Sequence, residues 1–230
     1  HRMQKSNLRL VIKNVSPLDH VAVGALPSHS HDALNFFNTM IAYLDDDSLY
    51  DHVPPPTSLK TTGFSRDEER IMEGHKFVLF DGVPLGSVYG FKVAQFFKGT
   101  CRPVWNCYIK EHFQDDLPHY HLQGPRSINS KLAALLRSTP GAILVQFDFA
   151  AYYDQFLLGN RVQPRFCFRG VNDETFALTR LPMGFNLACA IAQSTTWQLL
   201  NFDRRSTVFT CIDNVAFAGT PEQVHHDVAL

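Results

Sequence analysis

No apolar run in this chain of 230 residues approaches the ~20 residues that a membrane-spanning helix needs. An integral helical membrane protein is therefore excluded. The start, His1-Arg2-Met3-Gln4-Lys5, has no apolar signal core and is not a natural initiator. An intracellular fragment of a longer chain is expected, nuclear or cytoplasmic. Cysteine is sparse: Cys101, Cys107, Cys167, Cys189 and Cys211 are odd in number and form no C-x-x-C. That argues against a disulfide scaffold and for a reducing compartment. Zinc-finger spacing is lacking too, since neither His119 and His121 nor His225-His226-Asp227 has a cysteine pair beside it. These histidines read as ordinary surface or core residues. Internal repeats, low-complexity tracts and a strong charge bias are also missing, with 21 Lys plus Arg against 22 Asp plus Glu.

What is present is core material. The chain is 45% hydrophobic and 12% aromatic, with 19 Phe, enough for one large domain or two small ones. A charged fraction of 19% argues against wholesale disorder. The charge is unevenly spread: 4 basic against 6 acidic side chains in residues 1–59, 11 against 8 in residues 60–137, and 6 against 8 in residues 138–230. A nucleic-acid footprint is normally stronger than this. Charge alone decides nothing.

Residues 1–59 read as an accessory segment. Leu34–Leu44 has the composition of a short helix, and Pro54-Pro55-Pro56 marks a linker behind it. Ser65, with Glu68 three positions on, is a capping box. Phe77–Phe97 reads as short strands and turns. Further along, Ser127–Arg137 has helical apolar spacing, Ala142–Phe149 is a buried-strand pattern, and two hairpins flank a helix over Asn186–Leu200. A last helix starts at Pro221. This order predicts an α+β domain with a mainly antiparallel sheet.

Two aspartates stand at strand ends in apolar settings. Asp148 closes AILVQFD, and Asp213 sits in a tight turn between Phe209 and Phe217. Taken singly, each reads more readily as a cap or turn residue. If their strands are neighbours, the pair can hold Mg²⁺ with waters in its open positions. Two such ions could stabilise the attacking and leaving oxygens of a phosphoryl displacement.

The text around the pair resembles the reverse transcriptases of retroelements. Asp148-Phe149-Ala150-Ala151-Tyr152-Tyr153 is similar to the family's first catalytic block, in which an aromatic follows the aspartate by five. Leu181-Pro182-Met183-Gly184-Phe185, with Ala188 and Gln193, resembles its LPFG…Q block, and Cys211-Ile212-Asp213-Asn214 its aromatic-x-Asp-Asp hairpin. Arg102-Pro103-Val104 looks like the fingers strand. The resemblance covers roughly residues 98–230 and extends to trypanosomatid tyrosine-recombinase retrotransposons of the VIPER kind.

It implies an α+β fold, with fingers over 60–140, an incomplete palm over 141–230 and a thumb beyond residue 230. It also implies RNA-directed DNA polymerase activity on a primed RNA or DNA template, with deoxynucleoside triphosphates and Mg²⁺ or Mn²⁺. Asp148 and Asp213 would be the catalytic metal ligands, joined by the carbonyl of Phe149. Arg102 would clamp the triphosphate, with Lys98 a weaker candidate. Tyr153 would be the sugar gate. Pro182, Met183 and Gly184 would lie against the nascent base pair, and Gln193 would order its helix.

Three departures accompany the match: Asn214 in place of the second hairpin aspartate, Cys211 in place of an aromatic, and Tyr152 where the family has a small residue. With the missing thumb, they leave a second reading open, a non-catalytic remnant that folds and binds nucleic acid. An RRM is disfavoured, because the pattern of its stacking strand is absent.

Overall fold

Residues 8–230 are described in a computed structural model of the chain; the amino-terminal His1-Arg2-Met3-Gln4-Lys5 lies outside them. In chain order the strands are β1 (Arg9–Leu10), β2 (Phe77–Leu79), β3 (Val88–Gln95), β4 (Thr100–Cys107), β5 (Ile143–Asp148), β6 (Cys167–Arg169), β7 (Thr175–Leu178), β8 (Thr207–Cys211) and β9 (Asn214–Gly219). The helices are α1 (His20–Gly24), α2 (His31–Ile41), α3 (Arg66–Met72), α4 (Pro125–Ser138), α5 (Ala188–Leu199) and α6 (Pro221–Val228). The strands form three small sheets, ordered β1-β4-β3, β2-β7-β6 and β5-β9-β8. Every pairing among them is antiparallel except β1 with β4. Among the described residues no helix is long and apolar enough to cross a membrane.

Local chemistry accounts for several boundaries. The Ser65 hydroxyl accepts from the Glu68 amide while the Glu68 carboxylate accepts from the Ser65 amide, so both orphan donors at the start of α3 are satisfied. Thr220 and Gln223 form the same reciprocal pair at α6, with Pro221 in its first turn. Pro125 opens α4 in the same way. Pro103 lacks an amide hydrogen, yet it is tolerated within β4 because β1 pairs only with Thr100 and Cys101.

The chain divides into two compact units. The first takes the described part of His1–Asp19, Thr39–Leu117 and Tyr153–Ala188. Its core is aromatic. Phe77 lies edge-on to Phe168 at 4.9 Å between ring centroids, Trp105 packs on Phe168 at 5.0 Å, and Tyr50, Phe113, Phe166 and Phe185 form a second cluster. Such offset and edge-to-face geometry is what ring quadrupoles favour.

The second unit takes His20–Asn38, Pro118–Tyr152 and Cys189–Leu230. One face of its β5-β9-β8 sheet, carrying Val145, Val208, Val215 and Phe217, packs on Leu200 beyond α5 and on Val224 of α6. The opposite face carries Gln146, Asp148 and Asn214. β5 is therefore not the fully buried strand that its composition predicts: Leu144 is 49% exposed. β5 is an edge strand of the three-stranded sheet, and Leu144 lies on the face away from the Leu200–Val224 cluster.

All five cysteines are free; Cys101, Cys107 and Cys167 are buried, whereas Cys189 and Cys211 are exposed.

Candidate active site

The residues singled out in the sequence fall into both units. Asp148, Phe149, Gln193, Asp213 and Asn214 belong to the second, and Lys98, Arg102, Tyr153, Pro182, Met183 and Gly184 to the first.

In the second unit the last rung of the β5–β9 ladder sets Asp148 opposite Asn214. One residue further, the Phe149 amide donates to the Asp213 carbonyl oxygen at 2.8 Å. The exit of β5 is thus tied to the tip of the β8–β9 hairpin, and both aspartates arrive at the same end of the sheet. Asp148 is exposed and Asp213 half-buried. The Asn214 amide oxygen accepts from Gln146 Nε2 at 2.9 Å, a neighbour on the same sheet face.

Among the described residues no group of three or more His, Cys, Asp and Glu is placed to hold a metal. The donor set is two carboxylates and neutral oxygens. It fits a hard ion such as Mg²⁺, which keeps several waters and takes only one or two carboxylates from a protein.

The hairpin tip is strained. Cys211 pairs with Asn214, leaving the two-residue loop Ile212-Asp213. Ile212 has φ +54°, the positive value that a type II′ hairpin turn requires at its first loop position and that glycine normally supplies. A side chain with a Cβ costs roughly 1–2 kcal/mol there. Both polar groups of Ile212 are held by α5. Its amide donates to Gln193 Oε1 at 2.6 Å, and its carbonyl accepts from Thr196 Oγ1 at 2.6 Å. Gln193 Nε2 also donates to Thr210 Oγ1 at 3.1 Å. Tyr152, 4% exposed, stacks on Phe149 at 4.8 Å and brings its hydroxyl within 3.0 Å of Thr196 Oγ1. Burial pushes its phenol pKa up, against a smaller downward effect of the Thr196 hydrogen bond.

In the first unit Arg102 stands exposed on β4, opposite Val93 of β3. Lys98 is exposed at the tip of the same hairpin, beside the fully exposed Phe97. The Met183 carbonyl accepts from the Trp105 amide of β4 at 2.8 Å, so the Pro182-Met183-Gly184 turn is joined to the strand that carries Arg102. Gly184 has φ +118°, and a Cβ there would stand 2.1 Å from the Trp105 carbonyl oxygen. Glycine is therefore demanded by the protein's own backbone at this turn.

Tyr153 is half-buried in the short helical turn Tyr152–Gln155. The next residue, Asp154, accepts from the buried Lys76 Nζ with both carboxylate oxygens at 2.8 Å, and its carbonyl accepts from Arg180 Nη1 at 2.9 Å. These contacts anchor the turn.

Sequence reasoning missed Lys76, Asp154, Gln146 and Thr196. One signal was available for the last: Gln193-Ser194-Thr195-Thr196 is a polar run inside an otherwise apolar helix. All four residues are fully buried, so each hydroxyl and amide must find a partner.

No protein-family model matches this chain, and no curated protein matches it. Solved structures do. The foamy viral protease–reverse transcriptase in complex with double-stranded DNA aligns over 95% of this chain at a TM-score of 0.50 and 13% identity. The native protease–reverse transcriptase of prototype foamy virus aligns over 94% at a TM-score of 0.50 and 13% identity. This chain spans 41% and 32% of the length of those two proteins. At such low identity the likeness is one of fold, and the fold of this chain is reverse-transcriptase-like.

Proposed function

We propose that this chain is an RNA-directed DNA polymerase domain of a retrotransposon, with an accessory segment over 1–59, fingers over 60–140 and part of a palm over 141–230. The sequence resemblance points to the tyrosine-recombinase type of the VIPER kind, acting inside the cell in nucleus or cytoplasm. One observation carries the reading: in a reverse-transcriptase-like fold, the Phe149–Asp213 hydrogen bond brings the two sequence-predicted aspartates to one sheet end. The complex of the foamy viral protein with double-stranded DNA supports a primer–template partner.

Asp148 and Asp213, with the Phe149 carbonyl, would hold Mg²⁺ or Mn²⁺. A bound ion of this kind supplies charge stabilisation at the attacking and leaving oxygens of nucleotidyl transfer. Arg102 offers the triphosphate a planar fork of donors, and Lys98 adds a point charge. Tyr153 rejects a 2′-hydroxyl by bulk. Pro182, Met183 and Gly184 form the platform for the nascent base pair, held against β4. Gln193 fixes the hairpin tip and does not touch substrate.

The test is extension of a primed RNA template by the full-length protein with deoxynucleoside triphosphates, in Mg²⁺ and in Mn²⁺. Metal-dependent extension is expected, and its absence in both metals overturns the polymerase reading.

A second reading is favoured by the Gln146–Asn214 amide pair, which stands where the family has a second carboxylate. In it the chain is a non-catalytic remnant that binds nucleic acid. Binding of primer–template without extension in either metal selects it.

A further inference from the structure

Ile212 is a β-branched residue in a conformation suited to glycine, in the turn that carries Asp213. Left alone, such a turn would relax towards other backbone angles and move the aspartate with it. Its two polar backbone groups are instead engaged by a buried polar system. Gln193 takes the amide, and Thr196 serves the carbonyl.

A hydroxyl has one proton. Thr196 Oγ1 lies 2.6 Å from the Ile212 carbonyl but 3.2 Å from its own helical acceptor, Ala192, so the proton goes to Ile212. Its lone pairs are then free to accept from Tyr152, whose hydroxyl is 3.0 Å away. The Tyr152 hydroxyl lies nearer to Thr196 Oγ1 than to its other acceptor, the Ala192 carbonyl at 3.3 Å, so its proton goes to Thr196. The donors align in one direction, Tyr152 to Thr196 to Ile212, and such chains polarise and strengthen one another.

We infer that Tyr152, Thr196 and Gln193 are positioning residues: together they clamp Ile212 in its left-handed conformation and so set where Asp213 presents its carboxylate. The clamp rests on the proposed metal-binding role of Asp213. It also gives a purpose to one departure from the family pattern. A tyrosine occupies the position where a small residue is usual, and its hydroxyl supports the turn from beneath.

The experiment measures Mn²⁺ binding to the whole chain by electron paramagnetic resonance, with hydrogen exchange at the Ile212 amide. Tyr152→Phe removes only a hydroxyl, and Thr196→Val replaces a hydroxyl with a methyl at nearly constant shape. Thr196→Ser keeps the donor. Asp148→Asn and Asp213→Asn serve as references for the metal site itself. Loss of an outer-shell partner typically lowers metal affinity 10- to 100-fold, so Thr196→Val and Gln193→Met should weaken Mn²⁺ binding roughly tenfold. Tyr152→Phe should act in the same direction, and Thr196→Ser should bind as the parent does. Exchange at Ile212 should speed up most in Gln193→Met.

If the two aspartate variants bind Mn²⁺ like the parent, the metal assignment fails and the clamp falls with it. If they lose binding while Tyr152→Phe and Thr196→Val do not, the metal assignment stands and the clamp alone is overturned. A lower melting temperature with unchanged Mn²⁺ affinity in the folded variants likewise reduces these residues to structural support.

Discussion

Asp148 is the residue on which the proposed chemistry turns most directly, because it is exposed at a strand end and faces a neutral Asn214. In Asp148→Asn an amide cannot supply the anionic oxygen that a hard cation requires. Several kcal/mol of transition-state stabilisation should be lost; at 1.36 kcal/mol per tenfold, extension should fall by about 10³. Single-turnover extension measures this, and near-parental rates would remove Asp148 from the site. The Asn214→Asp change tests the other side of the ladder. An aspartate can still accept from Gln146 Nε2, so the surface contact survives while a second carboxylate is restored. Extension should rise, or its preference should move from Mn²⁺ towards Mg²⁺, which is the more demanding of anionic oxygen ligands. Identical rates and identical preference in both forms would mean that position 214 lies outside the site.

Among the elements, α6 shows how one buried carboxylate secures a whole segment. Asp227 is 3% exposed. It accepts from the Arg205 and Ser206 amides at the entrance to β8, from the Ser206 hydroxyl and from the His226 ring. Burial alone would raise its pKa, but the Ser206 hydroxyl, the His226 ring and the two amides outweigh it and bring the value down to about 2. A pKa below the unfolded value of ~3.9 means that the folded state binds its proton later than the unfolded chain does. The resulting stability, on the order of 2 kcal/mol, is fully present above pH ~4 and is lost as pH falls towards 2. Asp227→Asn should therefore melt earlier at neutral pH and show a flatter acid limb between pH ~4 and ~2. A melting curve against pH for both forms decides this. Equal acid slopes would show that the carboxylate is not what joins α6 to the β8 entrance.

At the scale of the whole molecule, net charge is −1 while residues 60–137 carry 11 basic against 8 acidic side chains. In the proposed site the exposed Lys98 and Arg102 serve the triphosphate. The double variant Lys98→Ala/Arg102→Ala should therefore raise the triphosphate concentration that gives half-maximal extension and leave primer–template affinity near the parent's. Extension against triphosphate concentration, with fluorescence anisotropy across a salt series, reads both quantities. Each duplex phosphate contact contributes a salt-dependence slope of about 0.9, so a slope reduced by about 2 would place these two cations on the primer–template backbone instead.

Local patterns were legible because their chemistry acts over three or four residues. The Ser65–Glu68 capping box and the start of α6 at Pro221 are settled by neighbours in the chain. The sequence by itself thus determined the helices and hairpins and marked Asp148 and Asp213 as carboxylates beside apolar strands. Tertiary structure alone decided what each of these meets. The polar run in α5 says that its side chains need partners, but not that Thr196 ends 2.6 Å from the Ile212 carbonyl. Likewise, no local pattern announces that Gly184 must leave room for the Trp105 carbonyl, or that the buried Lys76 pairs with Asp154. Such contacts join residues distant in sequence, and their geometry is set by how strands and helices pack. A single side chain's chemistry names the kind of partner it needs, whereas only the folded chain supplies the atom.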